Sequence, residues 1–174
     1  MMAIANYDPI VVPVFPKRND VTRLAIAIDT SGSTAYMFND MIRHTMRQLL
    51  DSLVASGSFQ LIVWSFDHSI QRHSITEFSD RDYSDFEAKI DNILKHGGGG
   101  SSYDESFYLV KALRFDPTAM VFITDSAMMS PEEPATMLAN TLKNYVILLH
   151  NAVHPKMYTI PFKSEVIPLF YLEN

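Results

Sequence analysis

Thr22-Arg-Leu-Ala-Ile-Ala-Ile-Asp29-Thr-Ser-Gly-Ser33 is the stretch whose reading decides the fold of this 174-residue chain. Its first seven residues are β-prone and lack a sustained polar alternation, the pattern of a strand covered on both faces of a parallel sheet. The strand stops at Asp29, where a run of small polar residues begins. Over residues 36–54, apolar side chains recur at Met37, Phe38, Met41, Ile42, Met46, Leu49, Leu50, Leu53 and Val54, and Ser56-Gly57 closes the run. That 3.6-residue stripe predicts an amphipathic helix.

The same alternation continues along the chain. Phe59-Gln-Leu-Ile-Val-Trp-Ser-Phe66 reads as a second strand. Asp67-His68 is expected to turn into a polar edge strand over residues 69–75, making a hairpin, with a charged loop over 78–83. Phe86, Ile90, Ile93 and Leu94 mark a helix that stops at the four glycines Gly97 to Gly100, which resist helix and strand alike. A short helix around Phe107 to Leu113, a buried strand over 119–124, a helix over 131–142 and a strand over 145–149 follow. Residues 164–172 are expected to add an edge strand. Pro9, Pro13 and Pro16 keep the N-terminal stretch extended, so residues 1–19 are read as an arm and 20–174 as one domain. The class is α/β: a three-layer, doubly wound, mostly parallel sheet with one antiparallel hairpin strand.

Composition narrows the function. The chain is 47% hydrophobic with no cysteine, which excludes a zinc finger, a thiol nucleophile and a disulfide scaffold. Its net charge of −6 and lack of any basic run argue against nucleic acid or an anionic membrane as partner. With no apolar window long enough for a signal peptide or a span, a soluble, cytoplasmic protein is expected.

In sheets of this class, ligands bind beyond the carboxyl ends of the strands. Three segments there carry small polar groups: Asp29-Thr30-Ser31-Gly32-Ser33, Ser101-Ser102 after the glycines, and Thr124-Asp125-Ser126. Two carboxylates with several hydroxyls make an all-oxygen site, suited to Mg²⁺ or Mn²⁺ and unsuited to zinc.

Asp29-x-Ser31-x-Ser33 resembles the D-x-S-x-S of the metal-ion-dependent adhesion site of von Willebrand factor A domains, and the flanking strand and helix stand where that fold has them. Gly97-Gly-Gly-Gly-Ser101-Ser102-Tyr103 is similar to the G-G-G-G-T-D-F loop of bacterial A-like domains that follow a metallopeptidase-like region. The close Ile160-Pro-Phe-Lys-Ser-Glu-Val-Ile-Pro-Leu169 is also similar to the end of that group. The resemblance implies a Rossmann-like sheet, Ser31 and Ser33 as hydroxyl ligands, Asp29 and Asp125 as carboxylates, and Ser101 in place of the family's threonine. Ser101 lacks the methyl that restricts a threonine rotamer. Ser102 replaces an aspartate and Ser126 a glycine, changes that act against metal affinity, while Asp104 lies close enough in sequence to add a carboxylate. Tyr103, Ser126, Met128 and Met129 are expected to form the contact surface around the metal.

Other readings compete. Asp29 and the serines also suit a helix N-cap, and both roles can hold together. The glycines lack the Lys-Ser/Thr of a phosphate loop, and no His-Glu-x-x-His occurs. Trp64 reads as core. The resemblance implies a non-enzymatic module in which the cation bridges to an Asp or Glu of a protein partner; intracellular relatives often work beside AAA+ ATPases, so one is an expected partner. The alternatives are a metal-dependent hydrolase, for which the motif segments supply no general base, and a structural or assembly subunit of a phage or mobile element whose metal site has decayed.

Overall fold

The computed structural model describes residues 13, 20–30, 39–67, 74–95, 103–125, 133–151, 160 and 162–171. In chain order the elements are β1 (Thr22–Asp29), α1 (Asn39–Ser56), β2 (Phe59–Phe66), β3 (Thr76–Ser79), α2 (Phe86–Ile93), α3 (Asp104–Ala112), β4 (Ala119–Thr124), α4 (Glu133–Asn140), β5 (Asn144–Asn151) and β6 (Glu165–Tyr171). The strands form one sheet in the order β3-β2-β1-β4-β5-β6. Only β3 runs antiparallel to its neighbour. From β1 the chain builds outward through β2 and β3; it then returns beside β1 with β4 and builds the other way. The order therefore reverses between β1 and β4, where doubly wound sheets open a crevice.

Side-chain alternation explains the three layers. Leu24, Ile26 and Ile28 of β1 face α1 and α2, packing with Met46, Leu49 and Leu53 of α1 and with Ile90 of α2. Ala25 and Ala27 face the other way, toward α3 and α4. These small residues leave room that Trp64, Phe66, Tyr103, Phe107, Phe122 and Phe162 fill. Helix α1 ends as its sequence predicts: Gly57 takes the positive φ of 110° that follows a helix terminus, and the Ser56 hydroxyl donates back to the Leu53 carbonyl at 2.6 Å. Of the N-terminal arm, Pro13 is the one described residue; it is buried, and its carbonyl accepts from Ser52 of α1 at 3.0 Å.

The third strand corrects the sequence reading. It spans Thr76–Ser79, inside and just before the stretch expected to be a charged loop; of the edge strand expected over 69–75, residues 69–73 lie outside the described residues, and Ser74 and Ile75 precede the strand. Its anchor is a single aromatic: Phe78 lies opposite Leu61, is buried, and meets Phe86 of α2 at 4.9 Å between ring centroids. Just before the strand, the Ser74 hydroxyl accepts the Ser65 backbone N–H at 2.9 Å, so a side chain takes over where the backbone ladder stops at Val63 and Thr76. The closing strand β6 lies at the sheet edge as expected, a position that tolerates the missing N–H of Pro168. Among the described residues no helix is long and apolar enough to cross a membrane.

Candidate metal centre

The carboxyl ends of β1 and β4 meet at the point where strand order reverses. Asp29 ends β1 with a relative exposure of 0%. Thr124 ends β4, also fully buried, and its hydroxyl donates to Asp29 Oδ2 at 2.6 Å. The two side chains meet because each is in phase with the same face of the sheet: Ala25, Ala27 and Asp29 alternate along β1, as Met120, Phe122 and Thr124 do along β4, and Ala27 stands opposite Phe122. A buried carboxyl group needs hydrogen-bond partners, and the short bond from Thr124 supplies one. Thr30, next in the chain, ties the end of β1 to β2: its backbone N–H and its hydroxyl both donate to the Phe66 carbonyl, at 2.9 and 3.3 Å.

Asp125 directly follows Thr124 and is half-buried, so both expected carboxylates stand at the ends of adjacent central strands. Asp104 opens α3, where it and Glu105 complement the positive end of the helix dipole. Ser31, Ser33, Ser101, Ser102, Ser126, Met128 and Met129 lie outside the described residues. Among those described, no three His, Cys, Asp or Glu side chains gather into a metal-binding group. The expected centre is of another kind, with two carboxylates and the rest hydroxyls.

Tyr103 departs from expectation. Instead of presenting its ring to a partner, it is 0% exposed. It stacks edge-on against Phe122 at 5.0 Å and Phe162 at 4.7 Å between centroids, in the same core cluster as Ala25 and Ala27. Burial pushes the phenol pKa far above its ordinary value, and the negative charge of Asp29 adds to the shift, so the hydroxyl stays protonated. That hydroxyl has no hydrogen-bond partner among the described residues. Leaving such a group unpaired costs about 1–3 kcal/mol. In the same aromatic layer Trp64, core as expected, is satisfied: its indole N–H donates to Ser106 Oγ at 3.1 Å.

A buried phenol with no partner among the described residues, in the layer of the sheet face that carries the buried Asp29, is compatible with a hydrated hard cation, whose waters can serve as acceptors as well as donors. Asp29 and Asp125 would hold such an ion together with the hydroxyls of Ser31, Ser33 and Ser101. Two residues named in the sequence reading receive no part in the site there. Thr124 was recognisable by phase, since it shares a parity with Phe122 as Asp29 does with Ala27. Asp67, read as a turn residue, is 4% exposed just beyond β2 and beside the Asp29–Phe66 register pair; no periodicity marks a single carboxylate after a strand as buried.

No protein-family model matches the chain, and no curated protein does. Among solved structures it is similar to a von Willebrand factor type A protein from Catenulispora acidiphila, at 15% identity and a TM-score of 0.56, over 75% of this chain and 33% of that one. The chain thus spans about a third of the length of that neighbour. The likeness establishes the architecture: a von Willebrand factor A-like, doubly wound α/β fold.

Proposed function

We propose that the domain is a non-catalytic, divalent-cation-dependent protein interaction module. One observation carries the reading: Asp29 and Thr124 are joined at the reversal point of the sheet, which draws the ends of β1 and β4, with both candidate carboxylates, to one rim. Bound there, Mg²⁺ or Mn²⁺ would supply a positive charge and an open coordination position for an acidic side chain of a partner. The chain's own groups do the rest. Thr124 holds one oxygen of Asp29, and Thr30 ties the end of β1 to β2. A domain of net charge −6 has little other means of attracting an acidic group. The partner class is a protein presenting Asp or Glu, and the resemblance offers an AAA+ ATPase as one candidate.

The test is capture of partners from the native host by the immobilised full chain in Mg²⁺, in EDTA and after Mg²⁺ is restored. A partner retained in Mg²⁺, lost in EDTA and lost with Ser31→Ala supports the proposal. Recovery of the same partner under every condition excludes the cation as the bridge and favours a structural subunit with a decayed site.

A further inference from the structure

We propose that the Tyr103 hydroxyl is a positioning group for the rim, holding a water of the bound cation's hydration shell in place beside Asp29. The proposal rests on the metal-site reading above. Three observations converge on it. The ring is fixed: Phe122 and Phe162 grip it edge-on from two sides, and the residue is fully buried, so the hydroxyl cannot swing out to solvent. The hydroxyl is an orphan among the described residues, although the neighbouring Trp64 in the same layer has its own polar atom paired with Ser106. Phe122, which grips the ring, stands two residues before Thr124 on the same face of β4, and the Thr124 hydroxyl donates to Asp29. Phenylalanine would fill the same space among these rings without burying an unpaired polar atom. A tyrosine here is costly to the empty domain, and a bound water between phenol and carboxylate offsets that cost.

A phenol donor acting through a metal-bound water orients that water and limits which oxygen can replace it. Tyr103 is therefore a positioning residue and no ligand. Its position supports this assignment, since it immediately precedes Asp104 at the start of α3 and follows the Ser101-Ser102 pair in sequence.

The experiment is Tyr103→Phe in the full chain, read in two ways: thermal unfolding in EDTA, and Mn²⁺ affinity by calorimetry. The metal-free variant is expected to unfold at the wild-type temperature or above it, because only the unpaired oxygen is removed. Its Mn²⁺ affinity is expected to fall about tenfold, the usual scale for loss of a group that orients a metal's shell. A purely structural tyrosine would lower metal-free stability and leave the affinity alone, and that result overturns the proposal. So does an unchanged Mn²⁺ affinity in a wild type that binds. Absence of Mn²⁺ binding by the wild type itself defeats the metal-site reading and this inference with it, so the two failures are told apart by the wild-type titration.

Discussion

The two faces of the sheet are packed by different means. Toward α1 and α2, β1 offers Leu24, Ile26 and Ile28 to a stripe of Met, Leu and Ile side chains, a largely aliphatic layer. Toward α3 and α4 it offers Ala25, Ala27 and Asp29 to a layer of Trp, Tyr and Phe rings that contains a Trp64–Ser106 hydrogen bond and a lone phenol. Aliphatic packing is non-directional and stabilises in proportion to area; edge-on rings and buried hydroxyls hold positions. The first face supplies stability, and the second positions the rim.

Substitutions that separate the faces test this division. Leu49→Ala, in the fully buried centre of α1, is expected to cost about 2–5 kcal/mol in chemical denaturation, with Mn²⁺ affinity unchanged while the domain stays folded. Phe122→Leu on the other face opens space among the rings and is expected to cost less than a full truncation to Ala, which costs about 3–5 kcal/mol, yet to weaken Mn²⁺ binding because it releases the ring that holds Tyr103. If Leu49→Ala alters metal affinity and Phe122→Leu does not, the division is wrong. The smallest effect lies outside both faces. The Ser84 hydroxyl and backbone N–H donate to the exposed Asp82 at the entry to α2, holding its carboxyl below the ordinary 3.8, with Lys89 adding to the shift. A depressed carboxylate contributes stability above that ordinary value and loses it as pH falls through the folded one. The thermal midpoint of Asp82→Asn should therefore lie slightly below wild type near neutrality and merge with it in acid.

Legibility in the sequence followed periodicity. Strands β1 and β4 and helix α1 are announced by apolar runs whose period allows one interpretation, and the structure has them within a few residues of the expected ends. Strand β3 enters the stretch expected as a charged loop because its position depends on one ring, Phe78, and one serine hydroxyl, neither of which makes a pattern in four residues. The rim was partly readable. The end of β1 is marked by Asp29-x-Ser31-x-Ser33, and Asp125 by its position after a buried strand. Tyr103 was not readable, because an aromatic residue just before a helix has no neighbours in phase to say which way it turns; its partners, Phe122 and Phe162, come from distant parts of the chain. Asp67 illustrates the same limit from the polar side, a carboxylate whose burial depends on tertiary neighbours and not on its place after a strand.

The most direct test of the central claim is Mn²⁺ titration of the wild type against Asp29→Ala, with cooperative unfolding in EDTA checked for both. Asp29 joins the two central strand ends through Thr124, so the account predicts saturable binding by the wild type and its loss in a variant that still unfolds cooperatively. Equal Mn²⁺ affinity in the two proteins would contradict it.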